Sequence, residues 1–413
     1  MSDELPQDIT ALIEEVDAFI EGEVRPLEAE GDNIRFFDHR REQARTDFEE
    51  GGIPSRQWED LLEEMVRRAD RAGLWRYALP GELGGRDGTN YALAVLREHL
   101  NRLGIGLHND PQSETSLIGN FPTVILLHEF GTPEQKEALL QPALRLEAGL
   151  AFGLTEPNHG SDATYLETVA RREGGADWVL NGTKRFNSGM HRASHDLVFA
   201  RTSGSPGEPR GITAFIVPRD APGLDVQFYW WTFNMPTDHA EVTLKDVHVG
   251  DDAILGEREE GLALAQRFVH ENRIRQAASS LGAAVFCIEE AVKWARERIV
   301  WGRPLWRNQG IQFPLAELWT EAELVRGLVR RTAAELDRHH HMEVTHLVAM
   351  ANYRANRLAC EAADRAMQTC GGIGYTRHMP FEHIYRHHRR YRITEGSEEI
   401  QLRKVAQELF SAP

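Results

Sequence analysis

Asp177-Trp178-Val179-Leu180-Asn181-Gly182-Thr183-Lys184 marks the point where the texture of this 413-residue chain changes. An Asn-Gly pair between two strand-like runs is a hairpin signal, because both central positions of a type I′ turn need positive φ. Leu197–Ala200, Thr213–Val217 and Ala240–Leu244 repeat the short-strand pattern, with Gly, Asn, Asp and Pro between them. About five or six such strands in roughly 100 residues predict a small antiparallel barrel or sandwich.

Both flanks read as helix. On the N-terminal side Ile9, Leu12, Ile13, Val16, Phe19 and Ile20 recur at three- and four-residue spacing, which puts them on one helix face. Helical pattern resumes at Trp58, Leu61, Leu62 and Met65, and again over Tyr91–Leu100, Thr123–Phe130 and Pro133–Leu146. Between the first two helices, the charged stretch Gly31–Pro54 reads as an excursion or a partly ordered loop. On the C-terminal side Leu262–Ala295, Ile311–Arg338 and Met342–Cys370 run with few breakers, and a last helix starts after Ser397. These lengths suit a bundle of antiparallel neighbours. The boundaries fall at 1–148 for a helical domain, 149–256 for a β-domain and 257–413 for a helical bundle.

Composition narrows the function classes. Hydrophobic residues make up 41% and charged residues 27%, ordinary values for a chain that buries a core. The formal charge of −17 argues against a nucleic-acid partner held by net charge. Cys287, Cys360 and Cys370 form no C-x-x-C pair, so neither a disulfide framework nor a zinc ribbon is expected. His339-His340-His341 diverge around a helix and make a poor metal site, and no metal is expected. No apolar run approaches the ~18 residues of a membrane span. The opening Met1–Pro6 has neither a basic nor an apolar leader region, so the expected location is cytoplasmic.

Three clusters carry chemistry, each with an ordinary reading beside the functional one. Leu154-Thr155-Glu156-Pro157-Asn158-His159-Gly160-Ser161-Asp162 can wrap a polar or heteroaromatic ligand with backbone donors, or be an exposed turn. Gly371-Gly372-Ile373-Gly374 follows a helical pattern and lacks a following Lys-Ser/Thr, so by itself it is a helix C-cap. Glu395, in Thr394-Glu395-Gly396-Ser397, is either a buried base or a charge favouring the next helix N-terminus. The basic run His383–Arg392 reads as a solvated or interface helix face.

Together the clusters resemble the acyl-CoA dehydrogenase family of flavoproteins, over nearly the whole chain and in the family's order. The resemblance implies an N-terminal helical domain, a central antiparallel β-barrel and a C-terminal four-helix bundle. Ala151–Pro157 with Gly160-Ser161-Asp162 looks like the family's flavin loop. By that likeness Leu154 and Thr155 hydrogen-bond the FAD ring, Phe152 lines the site, and Ser161 contacts the CoA portion or the flavin phosphates. Asn181–Gly189 resembles the second flavin segment, with Phe186 in the aromatic place, Ser188 in the place of Thr, and Asn187 a departure from the usual branched residue. Glu297–Leu305 followed by Gln309 looks like the segment reaching a neighbouring subunit's FAD: Arg298 on the pyrophosphate, Trp301 for the usual Phe, Gln309 near the adenosine. Gln368 and Gly372 match the glycine turn against that same dinucleotide, and Ser397 joins the cofactor-binding set.

Glu395 falls on the family's catalytic base and Arg273 on an arginine near substrate. The resemblance therefore implies α,β-dehydrogenation of an acyl-CoA to trans-2-enoyl-CoA, with electrons passed to an electron-transfer flavoprotein and a homodimer or homotetramer. Two alternatives stay open: an acyl-CoA oxidase using oxygen, and a flavin- or acyl-CoA-binding relative without turnover. His270 stands where Asp is frequent, Thr394 where Tyr is common, and the 31–54 insert resembles that of long-chain or unusual-substrate relatives.

Overall fold

The computed structural model describes residues 5–109, 117–175 and 177–411. The chain forms two compact units, one of Met1–Arg45, Arg56–Asn120 and Asn272–Pro413, the other of Thr46–Ser55 and Phe121–Glu271. The first helices of the chain thus share a unit with its C-terminal helices.

In the first unit, α1 (Gln7–Phe19) passes through a π-turn into α2 (Arg25–Ala29), followed by α3 (Arg56–Arg71) and α4 (Asn90–Arg102). In the second unit, β1 (Thr46–Asp47) pairs with β2 (Ile53–Pro54), and α5 (Pro122–Phe130), α6 (Pro133–Gln135) and α7 (Gln141–Leu144) precede the main sheet. That sheet contains β3 (Leu150–Gly153), β4 (Val169–Arg172), β5 (Trp178–Ser188), β6 (His195–Arg201), β7 (Ile212–Pro218), β8 (Leu224–Tyr229) and β9 (His239–Val249). The long α8 (Gly261–Glu297), a hairpin of β10 (Ile299–Val300) and β11 (Arg303–Pro304), α9 (Gln309–Leu336), α10 (Thr345–Cys370), α11 (Phe381–Tyr391) and α12 (Glu398–Ser411) complete the chain. Ala277, Ala284, Ala291, Ala355, Ala362 and Ala366 are buried where helices meet. Small residues at such spacing let helix backbones approach closely. The three cysteines are free and buried. No helix among the described residues is long and apolar enough to cross a membrane.

Four expectations change. The sheet is mixed rather than purely antiparallel, because β3 and β4 each run parallel to β6. Asn181-Gly182 makes no hairpin: β5 runs straight through it, slipping register against β9 between Leu180 and Gly182. Asn181 instead brackets a turn residue on the partner strand, its Nδ2 donating to Asp246 Oδ1 at 3.1 Å and its Oδ1 accepting from the Asp246 N–H at 3.0 Å. A Cβ on Gly182 would lie 2.7 Å from Thr168 Cα, so glycine serves close approach here.

The 31–54 stretch is packed, not partly ordered. Phe36 and Arg45 are buried, Arg45 lies 4.3 Å from the Trp58 ring centroid, and its Nε donates to the Phe36 carbonyl. One cation on aromatic faces organises the segment.

The basic run forms α11, but its histidines point inward. His383, His387 and His388 are buried and held well below their ordinary pKa by desolvation. Arg386 reaches Glu382 at 2.7 Å and Glu42 at 3.2 Å, and Arg392 reaches Glu398 at 2.9 Å.

Candidate active site

The turn between α11 and α12 holds Glu395 with φ at +56° and Gly396 at +89°. A left-handed glutamate is strained and needs fixing by its surroundings. Three donors converge on its main-chain carbonyl: Arg273 Nε at 2.8 Å, Arg273 Nη2 at 2.6 Å and Gln401 Nε2 at 3.1 Å. Gln401 also donates to the Gly396 carbonyl at 3.0 Å.

The carboxyl has its own, weaker support. Asn272 Nδ2 donates to Glu395 Oε1 at 3.3 Å. Asn120 Nδ2 in turn donates to Asn272 Oδ1 at 2.6 Å, and Arg275 donates to Asn120 Oδ1. Burial pushes the Glu395 carboxyl up to about 7, against the lowering pull of Arg273, the Asn272 hydrogen bond and Arg390. Desolvation brings Arg273 down to about 10. A carboxyl that titrates near neutrality is poised to exchange protons.

The second unit builds a different surface. Phe152 on β3 stacks on Phe268 at 4.0 Å between centroids and touches Phe199 at 5.1 Å. The loop after β3 is fixed by a buried ion pair, Lys184 Nζ to Glu156 Oε1 at 2.7 Å. Lys184 also donates to the Leu154 carbonyl at 3.3 Å, and Glu156 accepts from the Thr168 N–H at 2.9 Å and from the Glu167 N–H. Burial raises the Glu156 carboxyl, but the ammonium and the hydrogen bonds more than offset it and hold it below its usual range.

The Arg185 N–H donates to the Thr155 carbonyl at 2.8 Å, so the loop and β5 meet. There β5 slips register a second time, between Arg185 and Asn187, and Phe186 adopts φ of +61° with 48% of its surface exposed. Ser188 is exposed, with its Oγ 2.7 Å from His239 Nδ1. Ser161 lies on the exposed outer part of the loop.

The remaining sequence candidates lie at helix ends in the first unit. Arg298 follows α8 and is exposed, and its carbonyl accepts from the Leu305 N–H at 2.7 Å. Trp301 (φ +47°) and Gly302 (φ +73°) form the tip of the β10–β11 hairpin, as a type I′ turn requires. Trp301 is 88% exposed. Gln309 begins α9, Gln368 lies in the last turn of α10, and Gly372 follows Gly371, which ends that helix at φ of +69°. Ser397 precedes α12, its carbonyl accepting from the Gln401 N–H at 3.0 Å.

The structure thus joins Arg273 to Glu395, and the 154–155 loop to the 186–188 strand end. Sequence reasoning missed Asn120, Asn272, Gln401, Glu156 and Lys184. The available signal was polar residues at inward positions: Asn272 adjoins Arg273, and Lys184 alternates into the apolar face of β5.

Three family models match in chain order: acyl-CoA dehydrogenase N-terminal domain over residues 6–147, middle domain over 151–247 and C-terminal domain over 259–410. A 3-(aryl)acrylate reductase of Clostridium sporogenes is 35% identical over 85% of this chain and 91% of its own. The short-chain specific acyl-CoA dehydrogenase of Homo sapiens mitochondria is 32% identical over 98% of this chain and 91% of its own. Butyryl-CoA dehydrogenase from Megasphaera elsdenii has a similar structure, with a TM-score of 0.79 and 26% identity over 99% of this chain and 100% of that one. The chain therefore belongs to the acyl-CoA dehydrogenase family, whose members are FAD-dependent oxidoreductases.

Proposed function

We propose that the chain converts an acyl-CoA thioester to the trans-2-enoyl-CoA, with Glu395 as the base that takes the α-proton. The observation that carries this is the Glu395 turn: its carbonyl is clamped by Arg273 and Gln401 while its carboxyl is left to one long hydrogen bond from Asn272. The geometry of the residue is fixed without neutralising its charge. A base matched to the operating pH loses little to being in the wrong protonation state. Water exclusion by bound substrate raises its basicity further.

FAD held by the second unit would supply the hydride acceptor for the β-hydrogen. The residues of the second unit suit such a group. Phe186 offers an exposed ring next to Ser188, Phe152 leads into the loop, and Leu154, Thr155 and Ser161 place polar backbone and side-chain groups along it. Arg298, Trp301, Gln309, Gln368 and Gly372 are exposed in the first unit and would serve the dinucleotide of a second subunit, making the enzyme a homodimer or homotetramer. Ser397, beside the base in sequence, would complete the cofactor-binding set. The acceptor of the electrons is an electron-transfer flavoprotein.

Anaerobic mixing of the purified yellow enzyme with a panel of CoA thioesters tests this. Straight, branched and aryl acyl chains belong in the panel, the last because the Clostridium sporogenes relative is named for an aryl compound. Bleaching of the flavin by at least one thioester, absent in Glu395→Gln, is the expected result. Bleaching that survives in Glu395→Gln overturns the assignment.

A further inference from the structure

We propose that Asp196 is held as a neutral acid, paired with the Asn187 amide in a closed ring of two hydrogen bonds, and that this pair sets the Phe186–Ser188 bulge against the flavin. The flavin part rests on the reading above that this segment faces FAD.

Both residues are completely buried within the second unit. Asn187 Nδ2 donates to Asp196 Oδ2 at 2.6 Å, which accounts for half of each polar head. The other halves, Asn187 Oδ1 and Asp196 Oδ1, are two acceptors buried without a hydrogen-bond partner. Two orphaned acceptors on adjoining groups are costly unless a proton lies between them. A protonated carboxyl is one donor plus an acceptor, and a primary amide is both. One proton on Asp196 Oδ1 therefore completes the ring and satisfies both orphans at once.

The surroundings agree. Desolvation is the main cause that pushes Asp196 up to about 7, against the lowering influence of Lys184, Asn187 and Arg219. Those two cations are the charged groups that face it, and Lys184 is already engaged by Glu156 at 2.7 Å. The fold makes room for the pair: a Cβ on Gly153 would lie 3.0 Å from both Asn187 Nδ2 and Asp196 Oδ1.

The location gives the pair its effect. Asn187 is the inward residue of the second register slip in β5, between outward Phe186 and Ser188. Anchoring its amide on β6 holds the slip, and the slip turns the two neighbours outward. When Asp196 ionises, Asn187 Oδ1 loses its donor and is left facing a charged oxygen, so the ring opens to the single hydrogen bond from Asn187 Nδ2. Because the folded value lies above the ordinary 3.8, the paired state is present in acid and is lost as pH rises through about 7.

The test uses infrared spectra and FAD titrations of the full-length enzyme. The expected spectrum at about pH 6 shows a protonated-carboxyl C=O stretch that Asp196→Asn removes, distinct from the Glu395 band that Glu395→Gln removes, and the Asp196 band fades in the wild type toward about pH 8.5. Over the same range the FAD dissociation constant of the wild type rises about tenfold, as expected for one buried hydrogen bond. Asp196→Asn rebuilds the ring as an amide pair, so its FAD affinity stays near the acid wild-type value and becomes independent of pH. Asn187→Ile keeps the volume and the carboxyl band but shifts that band upward by removing its partner. Identical spectra for wild type and Asp196→Asn overturn the neutral acid. A band that behaves as expected while wild-type FAD affinity ignores pH overturns the role toward flavin. Neither failure touches Glu395, whose assignment fails only if Glu395→Gln is still bleached by substrate.

Discussion

Arg273 donates to the main-chain carbonyl of Glu395, from Nε at 2.8 Å and Nη2 at 2.6 Å, rather than to its carboxylate. The guanidinium fork therefore fixes where the residue sits. A bidentate bond to the carboxylate would instead hold its pKa low and weaken it as a base.

Glu395→Gln keeps the size of the side chain and removes the base. Flavin reduction by acyl-CoA should fall by at least about a hundredfold, the lower end for loss of a general base. FAD content, read from the visible spectrum of the purified protein, should be unchanged.

The pH profile follows from the raised carboxyl. Because Glu395 must be ionised to accept a proton, kcat/KM should rise through about pH 7 and level off above it. Arg273 lowers that value, so in Arg273→Gln the rising limb should move to higher pH. A profile already flat from pH about 5 upward contradicts the burial argument.

Gly396→Ala tests the turn itself. The position has φ of +89°, and an added Cβ would sit 2.9 Å from Arg273 Nη2. The strain should cost about 1–3 kcal/mol locally. Because it pushes on the clamp, turnover should drop while the thermal midpoint moves by only a few degrees. An enzyme with normal kcat would show that the clamp is dispensable.

Glu156→Gln strands the buried Lys184 ammonium. Breaking one half of such a pair costs about 3–5 kcal/mol. Denaturant titration should show that loss, and Lys184→Met placed on top should recover much of it. The double variant should regain stability more fully than FAD affinity, because Lys184 also holds the Leu154 carbonyl.

Much of the architecture was legible along the chain, and the reasons are local. Leu262–Ala295 predicted α8 because uninterrupted apolar periodicity over that length has no other stable solution. Gly371 predicted a helix end because only glycine takes its left-handed φ without cost. Where the same local logic misled, a partner distant in sequence had intervened. Asn181-Gly182 carries a hairpin signal, yet Thr168 and Asp246 turn it into a bulge within one strand. The histidines of α11 look like a solvated face, yet neighbouring helices bury them. Gly31–Pro54 looks loose, yet Arg45 stacks on Trp58 and fastens it.

The candidate site divides in the same way. Motif, spacing and period are properties of a linear string, and they sufficed for the family, the helix–sheet–helix order and the nomination of Glu395, Arg273 and the 154–162 loop as candidates. Folding alone brings Arg273 onto the Glu395 carbonyl, links Asn120 and Asn272 to its carboxyl, and pairs Lys184 with Glu156 and Asn187 with Asp196. Hydrogen bonds and desolvation act over a few ångströms in space, and Asn272 and Glu395 are neighbours only once the chain has folded.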